Sequence, residues 1–219
     1  MGLKLMKINV FAESMRNSAE ILKPFGVYLF EILRDDKEYL ITDRIITPSF
    51  VTICAVQIAL IDVMSHLNIK PDGIVGHSTG EIASAYADGC LTAKEALICA
   101  FHKGQAMEKA NLPEGRTAAV DPKPRSKRWI STSYVENEWN RPECKEAGSE
   151  YFVNNMISSV YFNNAIKKIP RDAVIIEIGP HFLLLSILKR TIGSDASYIG
   201  LMKKNEKDNL QFFMNSLGR

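Results

Sequence analysis

A chain of 219 residues can bury a sizeable core and build one large or two small domains. Its 46% hydrophobic and 24% charged residues are an ordinary globular balance, and a net charge of +2 gives no global pull toward nucleic acid or a membrane. Cys54, Cys90, Cys99 and Cys144 lack C-x-x-C spacing, so they read as small buried apolar residues; no metal site is expected, and a reducing, cytoplasmic setting is. No secretory leader is read at the start of the chain. The longest apolar run, 50–67, is interrupted by Gln57, Asp62 and His66, which argues against a membrane span.

In chain order, apolar spacing of three and four residues predicts helices over 6–22 and 24–33. A helix over 49–67 follows, apolar enough to be buried on most faces. Pro71-Asp72-Gly73 turns into a short strand, Gly73-Ile74-Val75. The next helix starts at Ser78 and ends at Asp88-Gly89, where glycine suits a left-handed cap. Thr92-Ala93-Lys94-Glu95 is a capping box opening a helix to about residue 110. Two prolines argue against regular structure over 121–128. Then come a strand over 129–133, a polar loop to 150, a helix over 158–169 and a strand over 173–178. A helix over 182–190, a strand over 198–202 and a helix over 207–217 complete the chain. Strands alternating with helices predict an α/β fold, with a mainly parallel sheet flanked by helices. The expectation is a single domain over 1–219, its N-terminal part (1–120) joined to a C-terminal part (121–219).

The most informative segment is Gly76-His77-Ser78-Thr79-Gly80-Glu81, a G-x-S-x-G pattern between a strand and a helix. A serine on such a turn projects its hydroxyl above the sheet edge. The backbone N–H groups that follow, at the helix N-terminus, face an oxyanion formed there. Ser78 is the candidate nucleophile. Both glycines are expected to permit a close approach of strand and helix backbones.

Several longer stretches carry a family resemblance: P-D-G-I-V-G-H-S-T-G-E-I-A-S-A-Y-A-D-G-C-L over 71–91, P-K-P-R-S-K-R-W-I-S-T-S over 122–133, Y-F-V-N-N-M-I-S-S-V-Y-F over 151–162, E-I-G-P-H over 177–181 and L-M-K-K-N-E-K-D-N-L over 201–210. In these the chain resembles the malonyl/acetyltransferase domain of animal-type, insect-like fatty acid synthases. The resemblance implies a hydrolase-like α/β core with a nucleophile elbow. It also implies transfer of malonyl or acetyl from coenzyme A to Ser78, then to the phosphopantetheine thiol of an acyl carrier protein. Thr79 would supply a backbone oxyanion donor, and His77 would line the acyl pocket. No permanently bound cofactor is implied. The partners would be malonyl-CoA or acetyl-CoA, the carrier protein and other synthase domains, with neither nucleic acid nor membrane.

The chain also departs from that family. The family carries a ferredoxin-like subdomain, with the histidine general base, where Val120 here runs into Asp121-Pro122. The family's first strand and its G-x-G-x-Q loop are likewise expected to be missing ahead of Met1. Lys103, in Phe101-His102-Lys103-Gly104-Gln105, stands where the family has an arginine that clamps the malonyl carboxylate, which predicts weaker malonyl selectivity. Asn155 matches the stretch that orients the family's catalytic histidine, and with that histidine gone a packing role is expected. His181 is expected to be structural. The basic run Lys123, Arg125, Lys127 and Arg128 reads first as a solvated loop and second as a dock for an acidic carrier. Two other functions stay open: a catalytically inactive fragment that binds the carrier or synthase domains, and a serine hydrolase using His181 with Asp172 or Glu177.

Overall fold

A computed structural model describes residues 2–34, 46–108 and 120–218. A 3-10 turn, Leu3–Lys7, leads into α1 (Asn9–Leu22), which turns Phe11, Met15, Ser18 and Leu22 inward at helical spacing. The predicted helix over 24–33 is shortened to α2 (Leu29–Arg34), because Pro24 and Gly26 confine the preceding residues to a 3-10 turn, Lys23–Phe25. Next is α3 (Ile46–His66), 21 residues long, burying Val51, Cys54, Ala55, Ile58, Ala59 and Val63. By length and apolar content this helix could cross a membrane, contrary to the reading of its run as too interrupted. Its neighbours explain the composition instead. It packs against α1 and two later helices, α4 (Gly80–Ala87) and α5 (Ala93–Glu108), and so forms the axis of the main core.

Between α3 and α4 lies β1 (Ile74–Val75). It pairs in parallel with β3 (Trp129–Ile130), Ile74 opposite Trp129 and Val75 opposite Ile130. Ahead of β3, Lys123–Pro124 forms β2. The segment read as too proline-rich for regular structure thus holds a two-residue strand, antiparallel to β4 (Glu146–Ala147). Pro124 is tolerated because its ladder has only two strands, so a missing N–H can face outward. The expected polar loop to 150 also contains α6 (Pro142–Lys145), and α7 (Ser149–Ile157) follows at once. Sequence reading missed α7, whose buried Tyr151, Phe152 and Asn155 repeat at helical spacing. The helix predicted over 158–169 shrinks to α8 (Phe162–Ile166). Ser158 is extended, and the Tyr161 N–H is spent on the Thr132 carbonyl at 2.7 Å rather than on a helix.

Two parallel strands, β5 (Val174–Glu177) and β6 (Ser197–Gly200), flank α9 (Leu185–Ile192), and α10 (Asn209–Leu217) ends the described chain. Their side chains explain the layering. Ile74, Ile176 and Ile199 pack on the α3 core, whereas Val75, Ile175 and Tyr198 pack on a second cluster around Phe162, Ile166, Leu188 and Ile192. Alternate residues of each strand therefore bury against opposite helical layers, as the two-residue period of a strand requires. The expected α/β character is borne out, with short paired strands in place of one continuous sheet. All four cysteines are free and buried. The expected end of α5 near 110, and residues 117–119 before the junction at Val120, lie outside the described residues.

Two local devices can be tested. The capping box forms as read: the Glu95 carboxylate accepts from the Thr92 N–H at 2.7 Å, and the Thr92 hydroxyl accepts from the Glu95 N–H at 3.2 Å. These bonds hold the Glu95 carboxyl below its ordinary value. Its contribution is therefore complete above the unfolded value near 4.5 and fades as pH falls through the lower folded one. Thr92→Ala should cost about 1 kcal/mol in urea unfolding at neutral pH, and Glu95→Gln should abolish the acid-side change. Second, a Cβ on Gly104 would meet the Thr47 Cα at 2.6 Å, where α5 crosses α3. Gly104→Ala should therefore lower stability by about 1–3 kcal/mol, despite alanine's better helix propensity.

Candidate active site

The G-x-S-x-G turn folds as a nucleophile elbow between β1 and α4. Ser78 has φ 54°, a left-handed conformation that costs a non-glycine residue about 1–2 kcal/mol. The turn is held by bonds from the Gly80 N–H to the His77 carbonyl at 2.9 Å and from the Glu81 N–H to the Ser78 carbonyl at 3.2 Å. Only the first glycine is required by crowding. A Cβ on Gly76 would lie 2.5 Å from the Glu81 nitrogen, while one on Gly80 would meet nothing within 4 Å, which corrects the expectation for both. The Thr79 N–H makes no hydrogen bond among the described residues and stands one residue before α4. His77 is exposed on the turn with its ring edge against Phe162, centroids 5.0 Å apart, and partial desolvation lowers its pKa.

Beneath the elbow lies a polar cluster that sequence reading did not assemble. Glu81 is 0% exposed. Its carboxylate accepts from the Tyr151 hydroxyl, from the Thr132 N–H at 3.4 Å and from the Ser133 hydroxyl at 3.5 Å. The Thr132 hydroxyl lies 3.0 Å from the same carboxylate and donates to the Gly76 carbonyl at 2.8 Å. Burial pushes the Glu81 carboxyl up, against the downward pull of the Tyr151 bond and the Arg125 charge. The sequence signal was present but mute: a glutamate in the motif, three hydroxyl residues at 131–133, and a tyrosine in α7.

Lys103 is 7% exposed, so it is not a solvated surface lysine. Its ammonium donates to the Asn155 side-chain oxygen, and the Asn155 amide donates to the Ser133 hydroxyl at 3.0 Å. Burial lowers the Lys103 pKa, while Cys99 and Glu81 oppose that shift. Two residues singled out separately in the sequence thus meet in one buried chain, and that chain ends at Glu81.

The basic run is solvated only in part: Lys127 and Arg128 are exposed, whereas Arg125 is held against the fold. Arg125 is clamped over the Trp129 ring at 4.1 Å and the Tyr151 ring at 4.7 Å, and donates to the Trp129 carbonyl at 2.7 Å and to the Cys144 carbonyl. Arg128 pairs with the buried Asp88 at 3.6 Å and Lys123 with Glu95 at 3.5 Å. His181 accepts at Nδ1 from the Lys204 N–H at 3.1 Å, bridging the loops after β5 and β6. Glu177 is committed to the N–H groups of Leu183 at 2.7 Å and Leu184 at 3.1 Å, at the start of α9. None of the four histidines is hydrogen-bonded to Ser78 among the described residues. No group of three metal-ligating side chains occurs there either.

This geometry has counterparts. The chain is 42% identical over 108 residues to the highly reducing polyketide synthase sdnO of Sordaria araneosa, covering 48% of this chain and 3% of that protein. It is 35% identical over 128 residues to the squalestatin hexaketide synthase of a Phoma species, covering 54% of this chain and 5% of that protein. The chain thus spans a small fraction of these relatives, which are fungal polyketide synthases. Among solved structures, a loading acyltransferase from the avermectin modular polyketide synthase superposes with TM-score 0.76 at 20% identity, over 100% of this chain and 94% of that one. The acyl transferase domain of ZmaA superposes with TM-score 0.78 at 16% identity, over 99% of this chain and 70% of that one. At such identities the likeness is one of fold. The acyl transferase domain family itself matches residues 1–123 and 117–219, two stretches that meet at the Val120–Asp121 junction and together span the sequence. The chain therefore belongs to the acyl transferase domain family.

Proposed function

We propose that this chain moves an acyl group from coenzyme A to the phosphopantetheine thiol of a carrier protein through an ester on Ser78. The observation that carries this reading is Ser78 at φ 54°, followed by the unbonded Thr79 N–H. In the first half-reaction the Ser78 hydroxyl oxygen would attack the thioester carbonyl. The C–S bond breaks, and the coenzyme A thiolate takes up the serine proton. In the second, the carrier thiol attacks the serine ester, the C–O bond breaks, and the proton returns to Ser78. The Thr79 N–H would stabilise the oxyanion in both.

The family resemblance favours malonyl or acetyl as the acyl group, in fatty acid synthesis. The relatives reported above are polyketide synthases by name, so both chain-building systems suit the reading. Acyl-coenzyme A and free, buried thiols go with a cytoplasmic setting. A second reading, a non-catalytic piece that docks carrier or synthase domains, is favoured by one observation: no described histidine bonds to Ser78. A hydrolase triad finds less support. His181 accepts rather than donates at Nδ1, and Glu177 is already spent on backbone N–H groups.

Incubation with radiolabelled acetyl- or malonyl-coenzyme A should label the wild type at Ser78 and leave Ser78→Ala unlabelled. An unlabelled wild type would favour the docking piece, and fast turnover of a nitrophenyl ester would favour a hydrolase. The Lys103 ammonium, held by Asn155, offers a point charge to a malonyl carboxylate rather than a planar fork. Lys103→Arg should raise the malonyl-to-acetyl labelling ratio by about tenfold. An unchanged ratio would remove residue 103 from acyl selection.

A further inference from the structure

The motif contains one functional-looking side chain to which neither the nucleophile nor the oxyanion donor gives a role. Glu81 has its main chain inside the elbow and its side chain beneath it. Its nitrogen occupies the space a Cβ on Gly76 would need, and its N–H donates to the Ser78 carbonyl at 3.2 Å. Its carboxylate, meanwhile, is bonded outside the elbow, to Thr132, Ser133 and Tyr151. Thr132 closes the loop, because its hydroxyl returns to the Gly76 carbonyl at 2.8 Å.

We infer that Glu81 is the positioning residue of the elbow: its buried carboxylate anchors the start of α4 to the segment after β3 and thereby holds Ser78 in its left-handed conformation. Three features support this. A carboxylate without a touching cation is stabilised only by the donors it has, so each donor is held in place by it in turn. Those donors sit on two other parts of the chain, the segment after β3 and α7, so the elbow cannot relax alone. The two cations nearby, half-buried Arg125 and buried Lys103, lie on different sides of the cluster, Arg125 stacked on the Tyr151 ring and Lys103 reaching it through Asn155 and Ser133. A glutamine at 81 would keep the shape but present an N–H group to donors that need an acceptor.

The inference rests on the reading of Ser78 as acyl acceptor, so its test has one arm that needs no turnover. In the full chain, Glu81→Gln should speed hydrogen exchange at the amides of residues 80–82 by about tenfold while leaving amides of α9 and α10 at wild-type rates. It should also lower the rate of Ser78 acylation at saturating acetyl-coenzyme A, with half-saturation unchanged. Exchange at 80–82 that stays at the wild-type rate would overturn the inference. So would a uniform rise across the chain, or a change in half-saturation alone. Should Glu81→Gln fail to fold, Tyr151→Phe removes one donor and keeps the ring; it should shift the same amides in the same direction, and no shift counts against the inference. If the wild type is never acylated, the transferase reading falls while the exchange arm still decides the role of Glu81.

Discussion

A carboxylate sealed from water must be surrounded by donors, and in this protein that demand organises the part of the molecule beneath the Ser78 turn. Thr132, Ser133 and the α7 tyrosine converge on one glutamate because a buried acceptor left bare would cost more than any of them could recover elsewhere. The same convergence accounts for where α7 lies and for the aromatic rings on which Arg125 stacks. Sterics contribute the complementary half. The strand-to-helix turn is closed so tightly that only a residue without a side chain fits at its first position.

The apolar side of the molecule follows a simpler rule. A helix apolar almost all round is stable in water only when other helices surround it, and α3 is so surrounded. Its close crossing with α5 at Gly104 sets the place of Lys103 one residue earlier on that helix. Helix packing thus decides that this lysine points into the polar cluster rather than into solvent. A lysine at 103 therefore sits in a buried environment, where donor geometry matters.

Much of the fold was legible in the residues. The long helix, the capping box, the elbow, the strand ahead of Gly179-Pro180 and the alternation of helix and strand all announce themselves through local patterns. What stayed hidden depends on partners distant in sequence. The strand at Lys123–Pro124 exists only because Glu146–Ala147 lies beside it. The helix over Ser149–Ile157 was masked by polar neighbours until its buried face had something to pack on. The basic run shows the same limit. Four positive charges in six residues suggest a surface, yet rings and acids brought from elsewhere in the chain absorb three of them. At the site, Ser78 and Thr79 could be read from the motif, whereas the meeting of Lys103, Asn155 and Glu81 could not.

The pairing of β1 with β3 carries a consequence for the order in which the molecule assembles. Ile74 finds its strand partner only at Trp129, and Val75 packs on a cluster built by α8 and α9. During synthesis, then, the α1–α3–α5 layer can collapse early from neighbouring contacts, while the strand leading to Ser78 waits for residues made much later. The turn that carries Ser78 therefore depends on contacts made far along the chain and not on its sequence neighbours alone.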